Sequence, residues 1–278
     1  MAASTLNPHG PRAAHVLGCR IDRLDMETTL RRIRDVIDRR EYVQHVAINA
    51  AKLVAMEKDQ ELRRIVEDCG LVNADGQAVV WASRLLGDPL PERVAGVDLM
   101  LELFAMSEKR GYRPYILGAA PHVLEQAVER LQARYPRLKL AGCHDGYFAP
   151  HEHVEVAADI RKSGADILFV AISSPAKERF LAAYGSSLGV PFVMGVGGGI
   201  DIVAGVTRRA PSTWQRLGLE WLFRLLQEPR RMFRRYATTN LRFVGLLVRS
   251  LVRRRAHRQE TRGQISAGRS SDRVDRAR

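Results

Sequence analysis

Short β-branched runs alternate with longer stretches of helical periodicity from Val16 to about Val206. Val16–Ile21, Val43–Ile48, Leu71–Val72, Pro114–Leu117, Leu138–Cys143, Ile167–Ile172 and Pro191–Val196 read as strands. Between the first two, Asp25–Arg40 sets Met26, Leu30, Ile33, Val36 and Ile37 on one side of a helix. Ala50–Asp68, Gln77–Leu86, His122–Tyr135 and His151–Ser163 are helical, as is a stretch capped by Asp98 and running to about Arg110. Ser173-Ser174-Pro175 opens a further helix that ends near Tyr184. Strands alternating with helices predict an α/β fold, with a mostly parallel sheet carrying helices on both faces.

The pattern changes beyond Val206. In Arg209–Tyr236, Trp214, Leu217, Trp221, Leu222, Leu225 and Leu226 recur at helical spacing, and Arg216, Arg224, Arg230, Arg231, Arg234 and Arg235 crowd the same stretch. Pro229 is expected to split it into two short helices, because the residue before a proline resists the helical conformation. In Leu241–Arg255 a helical wheel places Arg242, Arg249 and Arg253 on one side. Phe243, Val244, Leu247, Val248, Leu251 and Val252 fall on the other. Such a basic amphipathic helix suits an anionic membrane surface; packing against the body is the other reading. The expected organisation is a flexible stretch 1–14, an α/β body 15–206, a helical membrane-associating appendage 207–255 and a disordered basic tail 256–278.

Charge reinforces that division. The chain carries a formal +13, yet residues 207–278 hold 19 arginines, no lysine and 5 acids, while the 206 residues before them hold 25 basic and 26 acidic side chains. A neutral body with a polycationic end points to a polyanion near that end, either nucleic acid or an anionic membrane. The arginines interleave with aliphatic stripes and the body has no recognisable RNA or DNA module, so nucleic acid is the weaker alternative. Three cysteines without metal-type spacing suggest idle thiols in a reducing compartment. No basic patch followed by an apolar run opens the chain, and no apolar stretch is long enough to span a bilayer. A cytoplasmic protein with peripheral membrane contact is therefore expected.

In an open parallel sheet, ligands bind beyond the carboxyl ends of the strands. Asn49, Asp75, Gly118, Asp145, Ser174 and Gly197–Asp201 all follow strands directly and should share that rim. Glycines such as Gly118, Gly197 and Gly198 let backbone amides approach a diphosphate. Asp75 could accept a proton from a hydroxyl attacking a sugar, and the loop residue Arg93, in E-R-V-A-G-V-D, could fork onto a diphosphate. No acidic pair suggests a metal-held diphosphate, so arginines would neutralise the leaving group. Neither a metal nor a cofactor is expected.

Seven segments carry a resemblance: N-A-A-K-L at Asn49, A-D-G-Q from Ala74, R-V-A-G-V-D at Arg93, H-D-G-Y-F at His144, S-P-A-K-E at Ser174, G-V-G-G-G-I-D at Gly195, and R-A-P…G-L-E-W-L-F-R-L-L-Q-E-P-R-R…R-R-Y from Arg209. In this order they resemble the WecG/TagA/CpsF family of bacterial glycosyltransferases (family 26), over roughly Val16–Tyr236. The resemblance implies a Rossmann-like, GT-E type body and inverting transfer of a hexose, typically N-acetylmannosamine or its uronic acid. The donor would be a UDP-sugar and the acceptor a sugar on undecaprenyl diphosphate at the cytoplasmic face. It makes Asp75 the general base, Arg93 a diphosphate ligand, and Arg224, Arg231 and Arg234 the appendage residues that complete the site. Asn49, Gly118, Gly197, Gly198 and Asp201 join them as candidate substrate contacts. So does Lys177, which stands where the family usually has glutamine; Ala47 replaces a hydroxyl residue. Lys177 could meet a carboxylate on an acidic donor sugar or a diphosphate oxygen. A degenerate member that binds UDP-sugar without turnover, and a homo-oligomer built through the appendage, stay open.

Overall fold

The computed structural model describes residues 13–216, 218–227, 229, 233 and 238–254; Ser212, Arg216 and Arg224 are described by backbone alone. The first expected strand is in fact a hairpin. β1 (Ala13–Val16) and β2 (Cys19–Asp22) pair antiparallel about Leu17-Gly18, both at positive φ. Asp22 ends the hairpin as a buried carboxylate that accepts the Val72 N–H at 2.9 Å and a hydrogen bond from Arg20 at 3.1 Å.

The body then alternates: α1 (Met26–Asp38), β3 (Val43–Ile48), α2 (Ala50–Lys58), α3 (Gln60–Glu67), β4 (Leu71–Ala74), α4 (Gln77–Leu85), α5 (Gly96–Arg110), β5 (Pro114–Gly118), α6 (Pro121–Arg134), β6 (Gly142–His144), α7 (His153–Ser163), β7 (Ile167–Ala171), α8 (Ala176–Tyr184), β8 (Phe192–Gly195) and α9 (Gly199–Val203). The helix expected over Ala50–Asp68 breaks at Asp59. That residue leaves the helical region (φ −111°, ψ 98°), and its side chain accepts the Leu62 N–H to cap α3. The strand expected at Leu138–Cys143 begins only at Gly142, and the helix expected from His151 begins at His153 after a 3-10 turn.

Six parallel strands run in the order β4-β3-β8-β7-β5-β6. Period-2 alternation distributes side chains to both faces. On one, Val43, Leu71, Ile116, Phe169, Phe192 and Met194 pack against Ile33, Leu99, Leu103, Phe104 and Leu131 of α1, α5 and α6. On the other, Val46, Ile48 and Val72 meet Leu53, Leu62 and Val79 of α2–α4, while Leu168, Val170 and Val193 meet Ile160 and Phe180 of α7 and α8. The expected α/β architecture, with helices on both faces, is what the chain forms.

After the sheet come α10 (Ser212–Arg216) and α11 (Glu220–Gln227). The break between them falls at Gly218. Its N–H bonds Gln215 O (3.1 Å) and the Leu219 N–H bonds Trp214 O (2.8 Å), a Schellman ending that Gly218 permits with φ +71°. Pro229 itself is helical, and most of the expected break around it lies outside the described residues. The expected apolar face is only half covered: Trp214 stacks edge-on with Phe223 at 5.8 Å, whereas Trp221 and Leu226 are exposed. Leu217 lies outside the described residues, as does the tail 256–278.

The last helix, 238–254, corrects the wheel drawn from the sequence. Its apolar arc is wide enough to serve two surfaces. Phe243 is buried, and Leu246, Leu247 and Leu251 pack with it on the body, among Val79, Val80 and Leu86. Leu241, Val244, Val248 and Val252, at 3- and 4-residue spacing, face outward. Among the described residues no helix is long and apolar enough to cross a membrane.

Candidate active site

Parallel strands bring every strand-following candidate to one end of the sheet, and local packing then gathers some of them closely. Asp75 leaves β4 with its N–H on Ile48 O (2.8 Å). Its Oδ1 accepts the Gly96 N–H at 2.8 Å. This contact explains why α5 starts where it does. Asp98 is not its N-cap; the helix begins at Gly96 without a local side-chain cap, because Asp75 supplies the acceptor from another strand. A carboxylate is favoured at a helix N-terminus. The preceding loop is fixed at the same place, since the Val94 N–H bonds Ala74 O at 2.9 Å. Arg93 is thus held beside the end of β4, its side chain 14% exposed.

Asn49 caps α2, its Oδ1 accepting the Lys52 N–H at 3.0 Å. A Cβ on Gly76 would lie 3.5 Å from Asn49 Cβ, so the ends of β3 and β4 touch. A Cβ on Gly96 would lie 3.7 Å from Ala47 Cβ and 4.0 Å from Asp75 Oδ1. Ala47 and the candidate base thus both border Gly96.

Lys177 arrives from the first turn of α8 and lies across Gly195, where any Cβ would strike Lys177 Cε at 2.5 Å. Its ammonium is 3.3 Å from Glu178 Oε1, which also takes Lys52 Nζ at 2.7 Å. Ser174 Oγ donates to the other oxygen, Oε2, at 2.9 Å. All three charged side chains are at most 12% exposed. Burial, with Lys52 nearby, pushes the Lys177 ammonium below the usual lysine range, against the pull of Glu178 and Asp75. Burial would raise the Glu178 carboxyl, but the two lysines and its hydrogen bonds outweigh that and hold it low.

A second charge cluster joins the body to α11. Arg93 Nη1 bonds Glu220. Arg209 reaches Asp98 at 2.5 Å and Glu220 at 3.8 Å. Gly218 seats this segment on α4, for a Cβ there would press Gln77 at 2.8 Å and Trp81 at 3.4 Å.

The other candidates spread along the rim. Gly197 sits in open space at φ +49°, Gly198 is the N-cap of α9, and the carboxylate of Asp201 lies 3.3 Å from where a Gly198 Cβ would be. Gly118 ends β5, at the far side of β7 from the Asp75 cluster. Its φ of +120° and its approach to Ala171, 2.6 Å from a would-be Cβ, make glycine a packing requirement there. Asp145-Gly146 folds onto this turn through the Gly146 N–H to Ala119 O (2.9 Å). An open depression of about 480 Å³ adjoins it, lined by Leu124, Val128, His144 and Asp145 but not by Asp75. The side chain of Arg224 and the whole of Arg231 and Arg234 lie outside the described residues.

Lys52, Glu178, Asp98, Arg209 and Glu220 were not singled out from the sequence as site residues, though each sits inside a motif that was. The signal available was charge within those motifs: the K of N-A-A-K-L, the E of S-P-A-K-E, the D of R-V-A-G-V-D, the R of R-A-P and the E of G-L-E-W. Each pairs with a charge from a different motif; the Lys177–Glu178 and Arg209–Glu220 contacts fall within one motif.

The model of the glycosyl transferase WecG/TagA/CpsF family matches residues 14–257, nearly the whole chain. The chain belongs to this family and is a glycosyltransferase. Membership implies, at a coarse level, a nucleotide-sugar donor, a lipid-linked acceptor and a place in cell-surface polysaccharide synthesis.

Proposed function

We propose that the chain transfers a hexose, of N-acetylmannosamine type or related, from a UDP-sugar to a sugar on undecaprenyl diphosphate, with inversion. The observation that carries this reading is the setting of Asp75, at the strand-end rim, with one oxygen anchored by the Gly96 N–H and charged clusters to either side. An anchored carboxylate is a fit general base. The acceptor hydroxyl attacks the anomeric carbon, the bond from that carbon to the diphosphate oxygen breaks, and Asp75 takes the hydroxyl proton. Arg93, with Arg224, Arg231 and Arg234 of the appendage, meets the charge developing on departing UDP. Asn49, Lys177, Gly197, Gly198, Asp201 and Gly118 line the donor's path. The outward stripe Leu241, Val244, Val248 and Val252, with Arg242, Arg249 and Arg253 on the same helix, supports peripheral docking on an anionic cytoplasmic membrane face. In this reading residues 15–206 form the catalytic body and 207–255 the appendage.

The test is UDP release from a panel of UDP-hexoses with a short-chain prenyl-diphosphate-sugar acceptor, beside Asp75→Asn. Acceptor-dependent release that the variant loses supports the reading and names the donor. A second reading, donor binding without turnover, draws on Ala47 lying against the Gly96–Asp75 contact in place of a hydroxyl. UDP binding with no release from any donor would favour it.

A further inference from the structure

Within a segment counted as basic, the residue that touches the site's arginine is an acid. Glu220 opens α11 and is 29% exposed. It bonds Nη1 of Arg93, and its other oxygen lies 3.8 Å from Arg209 Nε. Arg209 is in turn held by Asp98, in the first turn of the helix whose N-terminal N–H binds Asp75. Two guanidiniums from opposite sides of the body–appendage junction are thereby drawn together around one carboxylate.

Arg209 carries a second observation. Its Nε and Nη2 are buried and make no hydrogen bond among the described residues. A buried donor without an acceptor is costly, and the guanidinium's fixed fork is suited to phosphate oxygens. Among the described residues Arg93 is engaged through a single nitrogen of a group with five N–H donors, so it too keeps an edge to offer. The four charges Arg93, Arg209, Asp98 and Glu220 sum to zero. An anion binding here satisfies open donors, while further appendage arginines balance its charge.

We propose that Arg209 is a second diphosphate-binding arginine, and that Glu220 is a positioning residue holding Arg93 and Arg209 as a pair for the donor's diphosphate. The proposal rests on the UDP-sugar reading. Docking of the appendage then completes the anion site through a carboxylate that never touches the ligand.

The experiment is calorimetric binding of UDP and of uridine to the full chain and to Glu220→Gln, Glu220→Asp, Arg93→Ala and the double variant Arg93→Ala/Glu220→Gln. Circular dichroism melts confirm that each is folded. Glu220→Gln should weaken UDP roughly tenfold and leave uridine within about twofold, because only the phosphate contacts are disturbed. Glu220→Asp, which keeps the charge, should recover part of the loss. In the Arg93→Ala background the same glutamine substitution should cost at most about threefold, the share left to Arg209. Equal losses for UDP and uridine, equal losses in both backgrounds, or no loss at all would each overturn the proposal. If Glu220→Gln does not fold, the comparison is made with Arg209→Gln, which should weaken UDP and spare uridine; weakening of both overturns it. Failure of the wild-type chain to bind UDP would remove the donor reading itself, and that is seen before any variant is made.

Discussion

The two charge clusters beside Asp75 are built on opposite plans. The inner one, Lys52–Glu178–Lys177, lies wholly in the body, joins helices that follow β3 and β7, and has its carboxylate only 3% exposed. The outer one, Arg93–Glu220–Arg209–Asp98, spans the body and α11 and has its central carboxylate 29% exposed. The inner cluster uses lysines, compact ammoniums that fit two to one oxygen; the outer uses guanidiniums, planar forks that hold one partner and keep donors for another. The difference suggests a division of labour. On this plan the inner cluster should persist without the appendage, and the outer one should form only when α10 and α11 dock.

The charge of Asp75 is felt in both clusters, by Lys177 in the inner and Arg209 in the outer, and its replacement should have the largest effect. Asp75→Asn preserves an acceptor for the Gly96 N–H and removes the base. We expect kcat to fall by roughly 10²–10⁴, with UDP affinity within a few-fold and the thermal melt unchanged. Steady-state UDP release beside calorimetry checks this; an activity loss matched by lost UDP binding would move Asp75 from proton transfer to donor binding.

The comparison itself breaks or holds on stability. Glu178→Gln removes the carboxylate shared by two nearly buried ammoniums, and should cost about 3 kcal/mol in urea unfolding. Glu220→Gln removes a partly exposed partner and should cost less than about 1 kcal/mol. Equal losses would mean that the outer cluster is as much a part of the body as the inner.

A third prediction concerns pH. His45 lies on β3 two residues before Ala47, fully buried, its Nε2 3.1 Å from Asn73 Oδ1 and its ring 6.1 Å from Phe192. Burial is the main cause that lowers its pKa from 6.5 to about 4; the Asn73 hydrogen bond opposes this and the Lys52 charge adds to it. As pH falls below 6.5 the unfolded chain takes up a proton that the folded chain refuses. Stability therefore declines toward pH 4, by up to about 1.4 kcal/mol per pH unit. Glu178, held below 4.5, contributes stability that is present above that value and is lost only as pH falls further, through its folded pKa. Asp22, whose carboxyl is raised above 3.8 by burial, works in the opposite direction at the lower end of the range, so His45 is read from the difference between wild type and variant. His45→Gln should flatten the decline between pH 6.5 and 4.5 by roughly 2 kcal/mol, read from urea unfolding at successive pH values.

Much of this could be read from the sequence because it is local. β-branched runs bounded by turns located the strands, and the motifs located the rim. Two early errors were local as well: Leu17-Gly18 is a turn inside what looked like one strand, and Asp59 is a cap inside what looked like one helix. The pairings were not legible. Lys52 and Glu178 are 126 positions apart, Arg93 and Glu220 127. No period or propensity connects them; only the strand order, which places β8 between β3 and β7, makes the inner pair neighbours. Asp98 shows the same limit. As an acid at the start of a helix it looked like the cap, but the cap came from Asp75 on another strand, and Asp98 was left to hold Arg209.

The smallest expected effect sharpens the outer half of the comparison. Gly218 closes α10 at φ +71° and lies against α4, with no room for a Cβ beside Gln77 at 2.8 Å. Gly218→Ala should strain the backbone by about 1 kcal/mol, and the added carbon, 2.8 Å from Cβ and Cγ of Gln77, must also push the segment off α4. If α10 and α11 dock as a separable unit, that cost falls on docking alone. Limited trypsin digestion should then cut within 207–255 about fivefold faster, while the urea midpoint of the body stays in place. UDP affinity should fall in step with the cutting rate, and added UDP should slow the cutting, since ligand and docking stabilise one another. Faster cutting together with a lowered body midpoint would instead make the appendage part of one cooperative fold, and the contrast between a permanent and an assembled cluster would disappear.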